Sequence, residues 1–492
     1  MPLQEIVFYS TAAAGGARSG PGAICLNDLQ TGTTIATFKQ TSAARNCTAY
    51  VESTGAEGGF ILSSQPDKSI MNVYNFQKDQ ISMKMVLPER LTCIAVDSRG
   101  TFCAGGTAQG RVFLWEIASG IMYNAWDAHY RQVTVLRFTP DGAVLLSGSE
   151  DSGISVWSVS RLVDENMANE LPVPEMTLSD HTLSVTDIRC GAGRFTSCRV
   201  LTSSLDYSVK LWDLSSQTLL TTFQFPKPIS CLAWDATENF FFAAASEGAV
   251  YQVNLFRPAD ESSGTQATAV GGEGVNDIIR VDDTPTTSKK RLISVTEGVT
   301  VMTISCTSAS LLVATPAGSI HVYDIASHQL VRTIRTLNGL SVTHVATMMR
   351  PPDLIGHVSL SLGAGDGKDT VSVRPVAIFQ RTRDVKARAA HEVPMLLPPC
   401  YRDSSLYEDE ELLRDHAFFV QRKSAGAHAD VLQARVSDLE ADVALLRDQL
   451  GRAKNINDVM WENVVQKLVK QRPNASPSED DADQRKRKRG RT

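Results

Sequence analysis

The six residues VKLWDL at 209–214 decide the fold of this chain, because the phrase returns in six other places. It is a short β-rich run that closes on an aromatic or apolar residue and a polar one. The other copies read AICLNDL (23–29), IMNVYNF (70–76), RVFLWEI (111–117), ISVWSV (154–159), VYQVNL (250–255) and IHVYDI (320–325). Successive side chains of a strand point to opposite faces, so Val209 and Leu211 share one face. One small sheet cannot bury both faces alone. A ring of such sheets buries them and leaves only short edges. The copies begin about 40 to 70 residues apart, near one propeller blade each once insertions are allowed. Seven copies predict an all-β, seven-bladed β-propeller over residues 1–381.

Two repeats carry a fuller signature. His129 precedes Ser149, Asp151 and Trp157; His181 precedes Ser204, Asp206 and Trp212, with Asp213 completing a Trp-Asp pair. In WD40 proteins the His, Ser, Asp and Trp form a hydrogen-bonded chain that ties a blade's turns together. The competing reading is a catalytic Ser-His-Asp set. The same spacing occurs twice and fits the repeat, which favours the structural tetrad. The other blades lack the set.

EIVFYST (5–11) precedes the first repeat, and VTHVATMM (342–349) and VRPVAIFQR (373–381) follow the seventh. N- and C-terminal strands are therefore expected to share a blade and pin the ring shut. Two insertions interrupt the pattern. Residues 160–178 are expected to include a short helix between blades. Residues 257–291, rich in Gly, Ser, Thr and Asp and ending in Lys289-Lys290-Arg291, form a long loop that is either disordered or a partner contact.

The 492 residues carry 48 Lys+Arg against 54 Asp+Glu, a formal net charge of −6. That balance does not suggest a body that wraps nucleic acid. With 42% hydrophobic and 21% charged residues, the chain is neither collagenous nor wholly disordered. Nine scattered cysteines include no C-x-x-C pair, which argues against a disulfide framework or zinc ribbon and for a reducing compartment. No signal peptide and no 18-residue apolar run is found, so no membrane partner is expected.

The C-terminal arm is a different object. Residues 382–426 read as an extended linker, with Pro394, Pro398 and Pro399, and a short amphipathic helix at SSLYEDEELLRDHAFFVQRK. Residues 427–471 give the strongest helical signal. Val436, Val443 and Leu450 fall seven apart, as do Leu432, Leu439 and Leu446. Val at a and Leu at d is a coiled-coil seam of the parallel-dimer type. It predicts a homodimer or pairing with a partner helix; the alternative is packing on the chain's own propeller. The tail, 472–492, is polar and expected to be disordered. Its Arg485, Lys486, Arg487, Lys488 and Arg489 form a cluster of nuclear-localisation type. A solvated charge run and a nonspecific RNA-binding tail remain open.

No catalytic, cofactor-binding or metal-ligating constellation is found. Gly363–Asp369 fails the phosphate-loop pattern, because Leu362 stands at its first glycine and Asp369 at its final Ser/Thr. It reads as a hairpin turn.

The order of these features resembles the WD-repeat propeller subunit of the pre-60S ribosome assembly (Rix) complex, the family of the fungal ITS2-processing protein and animal WD-repeat protein 18. AHYRQVTVLRF (128–138), DHTLSVTDIRC (180–190), AWDATENFFFAAASEGAVYQVNLF (233–256) and QLVRTIRTL (329–337) carry the likeness, together with the C-terminal helix. The resemblance implies a noncatalytic nuclear scaffold, in nucleolus and nucleoplasm. Its implied partners are helical-repeat subunits, the pre-60S particle and a dynein-like AAA ATPase. RNA contact is expected to be indirect. Some members of the family are also linked to replication licensing, so an adaptor for chromatin or licensing is the alternative.

Overall fold

The computed structural model describes residues 4–12, 22–53, 58–164, 171–257, 268–269, 277–281, 292–336, 340–354, 373–379 and 428–470. The chain divides into two units, Met1–Pro399 and Cys400–Thr492.

The first unit is a seven-bladed propeller. Blade 1 runs outward from the axis as Ser341–Met349, Glu5–Ala12, Gly22–Asp28 and Thr34–Thr41. Blade 2 is Thr48–Val51, Phe60–Gln65, Ile70–Asn75 and Met83–Val86, and blade 3 is Leu91–Val96, Phe102–Thr107, Arg111–Glu116 and Met122–Asp127. Blade 4 comprises Val133–Phe138, Val144–Ser149, Ile154–Ser158 and Met176–Leu178. Blade 5 comprises Val185–Cys190, Arg199–Ser204, Ser208–Asp213 and Thr218–Gln224. Blade 6 is Ile229–Trp234, Phe240–Ala245, Ala249–Asn254 and Leu292–Ser294, and blade 7 is Val301–Ile304, Ser310–Ala314, Ser319–Asp324 and Leu330–Arg335. All seven quoted phrases fall on the third strand of a blade.

The alternation of each strand divides its side chains between two neighbours. In blade 3, Val112 and Leu114 pack toward blade 4, while Phe113 and Trp115 pack toward blade 2. The result is one apolar cluster at each interface between blades. A belt of hydroxyls ties the innermost strands together. Thr92 Oγ1 donates to Val133 O at 2.6 Å, Thr134 to Val185 O at 2.7 Å, Thr186 to Ile229 O at 2.8 Å and Thr300 to Val342 O at 2.8 Å. Turn geometry is fixed where blades touch. Gly110 has φ +90°, and a Cβ there would lie 2.0 Å from His129 O, so no other residue fits.

Closure follows the expected logic for one of the two C-terminal segments. Ser341–Met349 pairs antiparallel with Glu5–Ala12 and supplies the innermost strand of blade 1. The other segment differs: residues 373–379 form no strand. They lie against blade 3, where Ala377 N donates to Ile117 O at 2.9 Å and Arg374 donates to Arg99 O. The Phe379 ring stacks on Trp115 at 5.2 Å and 13°. Pro375 has no N–H for a ladder, and blade 1 already has its fourth strand.

The insertions are shorter than their sequence suggests. Helix α1 (Val159–Val163) lies within blade 4 and not between blades: it follows the third strand, and Met176–Leu178 comes after it as that blade's outer strand. Within 257–291, Thr268–Ala269 pairs with Phe256–Arg257, and Asp277–Arg280 adds to blade 5 as a parallel fifth strand. The outer strand of blade 5 otherwise has an unpaired edge, which accepts such an addition. The second unit contributes one described element, helix α2 (His428–Lys470). The linker 382–426, the turn at 363–369 and the tail 472–492 lie outside the described residues. No helix among the described residues is long and apolar enough to cross a membrane.

Candidate partner-binding surfaces

Blades 4 and 5 each carry a hydrogen-bonded chain from turn to core. In blade 5, Asp206 Oδ2 meets His181 Nδ1 at 2.9 Å, and His181 Nε2 meets Thr202 Oγ1 at 2.9 Å. Trp212 Nε1 then donates to Thr202 Oγ1 at 2.9 Å. In blade 4 the order is Asp151, His129, Ser147, Trp157, with distances of 3.2, 2.8 and 2.9 Å.

The hydroxyl in each chain is thus not the expected one. Ser147 and Thr202 stand where Ser149 and Ser204 were assigned. Side chains two apart share a face, but Ser149 and Ser204 lie one step nearer the turn. There they serve the loop. Ser149 donates to Arg131 O at 3.2 Å and Ser204 to Leu183 O at 2.9 Å. Each also accepts the N–H of its aspartate, at 3.2 Å. The available signal was the ten-residue step shared by Ser147–Trp157 and Thr202–Trp212.

Burial raises the aspartate pKa values, but the contacts outweigh it. The His129 hydrogen bond, the Gly153 N–H and the charge of His129 hold Asp151 down at about 2. His181 and the Ser208 hydroxyl hold Asp206 well below the usual carboxylate range.

Ser147, His129 and Asp151 superficially reproduce a nucleophile, base and orienting acid. Ser147 is completely buried and already accepts the Trp157 N–H, so no substrate carbonyl reaches it. The second chain has Thr202 in that place, equally buried.

What the chains do is stiffen one face. Asp151 Oδ2 also accepts the N–H of Tyr130 at 3.1 Å, and Asp206 Oδ2 that of Thr182 at 3.1 Å. Tyr130 is thereby held 98% exposed at its turn, and Leu183 is 51% exposed beside Thr182. Leu205 and Tyr207 stand exposed on the facing turn of blade 5, Tyr207 at φ +67°. Sequence reading passed over these four. Among the described residues, no group of His, Cys, Asp or Glu could hold a metal ion.

Helix α2 presents the second surface. Val436, Leu439, Val443, Leu446 and Leu450 are all exposed, at alternating spacings of three and four. Val436, Leu439 and Val443 line a shallow groove with Glu440, Ala444 and Arg447. Leu432 lies in the helix, and its side chain is outside the described residues, as are Arg485, Lys486, Arg487, Lys488 and Arg489.

Fold and repeat networks together define the class: a WD40 β-propeller protein with a helical C-terminal arm. The family model for the WD domain, G-beta repeat, matches residues 122–158 and 172–213, the blades that carry the two networks. The chain is 32% identical to "Pre-rRNA-processing protein IPI3" of Mycosarcoma maydis, over 94% of this chain and 96% of the relative. It is 28% identical to the protein of the same name in Yarrowia lipolytica, over 94% of this chain and all of the relative. Human "WD repeat-containing protein 18" is 28% identical over 67% of this chain and 70% of its own length. The chain belongs to this IPI3 and WD repeat-containing protein 18 family.

Proposed function

We propose that this protein is a noncatalytic scaffold of pre-rRNA processing. It acts in the nucleus on the maturing pre-60S particle, where internal transcribed spacer 2 is removed, and helps to recruit an AAA ATPase remodeller. The relatives' printed function and near full-length similarity support the process. The observation that carries the scaffold reading is the pair of buried networks in blades 4 and 5. Their Ser-His-Asp and Thr-His-Asp geometry is used to hold exposed Tyr130 and Leu183 in fixed turns.

Rigid, exposed aromatic and aliphatic residues are what a protein partner uses as anchors. Helical-repeat subunits of a Rix-type complex are the proposed occupants of this face. The α2 stripe supplies a separate contact, to a second copy or to a partner helix. RNA is reached through those proteins.

The test is depletion of the protein and rescue with variants. Depletion is expected to accumulate precursors that retain the second spacer. Native protein restores processing, and Tyr130→Ala with Leu183→Ala restores it poorly while folding normally. Normal spacer removal after depletion contradicts the processing role. Full rescue by the double variant contradicts the assigned face.

A further inference from the structure

The innermost strands of all seven blades surround one cavity of about 510 Å³. Its charge is lopsided. Arg45, Arg137 and Arg189 line it, and among the described residues the only carboxylate that lines it is Asp187. Three cations against one anion leave a formal charge of +2. Asp187 is already saturated: it accepts Leu232 N at 3.1 Å, Ile188 N at 3.0 Å and Arg189 Nε at 3.3 Å, and it pairs with Arg137 at 3.6 Å. Two further carboxylates stand behind the wall without lining it: Glu5 accepts Cys306 N at 2.6 Å, and Glu52 acts on Tyr50 and Cys306.

Three buried polar atoms in this wall have no partner among the described residues, Arg137 Nε, His344 Nε2 and Trp234 Nε1. Burial pushes the Arg137 pKa down, and Arg189 adds like-charge repulsion. Burial, then Arg137 and Arg189, hold His344 at about 3, so its ring is neutral at physiological pH. Arg45, Arg137, Arg189 and His344 are half-buried, and a half-buried cluster of like charges with orphaned buried polar atoms is costly unless something compensates it.

We infer that this axial cavity binds a small phosphate-class oxyanion, gripped by the guanidinium groups of Arg45, Arg137 and Arg189 and by the imidazole of His344. Planar guanidinium forks match phosphate oxygens with paired, charge-assisted hydrogen bonds. The volume lies within the roughly 300–1,000 Å³ typical of small-ligand sites. The anion is free and not part of a threaded polymer, because the Arg45–Asn46 turn spans the channel. Arg45 donates across it to Ser230 O in blade 6 at 2.6 Å, and Asn46 to Thr134 O in blade 4 at 3.0 Å.

The experiment uses the full chain at matched ionic strength in phosphate, pyrophosphate or chloride. Thermal midpoint and phosphorus-31 line width are the readouts. Phosphate or pyrophosphate is expected to raise the midpoint saturably and broaden the phosphorus line, and chloride is not. Arg137→Met is expected to weaken phosphate at least tenfold and to keep the midpoint in chloride at or above the native value. A purely structural guanidinium predicts a lower one. Should Arg137→Met fail to fold, Arg45→Gln removes a cation that precedes the strand and is expected to weaken phosphate in the same way. Equal midpoints in phosphate and chloride with a sharp phosphorus line overturn the inference. So does line broadening that survives both substitutions. A 5′-phosphorylated oligonucleotide that binds where free phosphate does not overturns the free-anion assignment.

Discussion

Thr202 shows how much one hydroxyl carries. It joins His181 Nε2 and Trp212 Nε1, both buried, at 2.9 Å each. Thr202→Val keeps the shape and orphans both partners. The expected loss is about 2–6 kcal/mol, from about 1–3 kcal/mol for each of the two unsatisfied buried groups. Equilibrium urea unfolding measures it. The networks also set an acid limit. Asp151 is held at about 2 and Asp206 below the usual range, whereas unfolded aspartates ionise near 3.9. As pH falls, the unfolded chain takes up these protons first. The stabilisation is therefore complete above about pH 5 and drains away between about pH 4 and pH 2. A thermal midpoint that declines less steeply there in Asp151→Asn plus Asp206→Asn than in the native chain is the expected result. His, Asp and Trp of both networks were legible from their order in the sequence. The hydroxyl was not, because the two hydroxyl residues on one strand face, Ser147 and Ser149 or Thr202 and Ser204, differ only in depth, which spacing alone does not give.

Single elements were legible in proportion to their regularity. Seven alternating strands, each bounded by small-residue turns, announced themselves. The stretch 373–379 alternates too, yet it straps blade 3, because Pro375 and a filled blade 1 leave it no ladder. Asp277–Arg280 was missed for the opposite reason: four residues inside a polar loop carry no period, and their pairing depends on an edge far away in sequence. The strap rests on Phe379, 3% exposed between blades 2 and 3 and stacked on Trp115. Phe379→Ala is expected to cost about 3 kcal/mol. It is also expected to open residues 373–379 to limited proteolysis while the blades stay resistant. In helix α2 the exposed seam is the feature to break. Leu439→Pro costs a helix about 3 kcal/mol or more. It is expected to lower the mass seen by light scattering, or to abolish partner capture, and to leave the propeller's thermal transition in place.

At the scale of the molecule, the ring explains why so much of the chain is structural. Each interface between blades has its own apolar cluster, the threonine belt ties inner strands together, and residues 341–349 close the circle. A closed ring leaves its turns as the variable surface, and blades 4 and 5 hold theirs rigid. That architecture was readable from the repeats. The binding face was not, because exposure of Tyr130 and Leu183 follows from how their turns are held and not from residue type. Charge in the axial cavity escaped notice for a similar reason: Arg45, Arg137 and the Asp187–Arg189 pair come from three distant stretches of sequence and meet only when the ring closes. On the function proposed above, this ring works on precursors of the large ribosomal subunit. Gradient sedimentation of a nuclear extract, probed for the tagged protein and for precursor large-subunit RNA, tests it most directly. Comigration with that RNA, lost on RNase treatment, is the predicted result. Migration only as a small complex, apart from the precursor under gentle lysis, would contradict it.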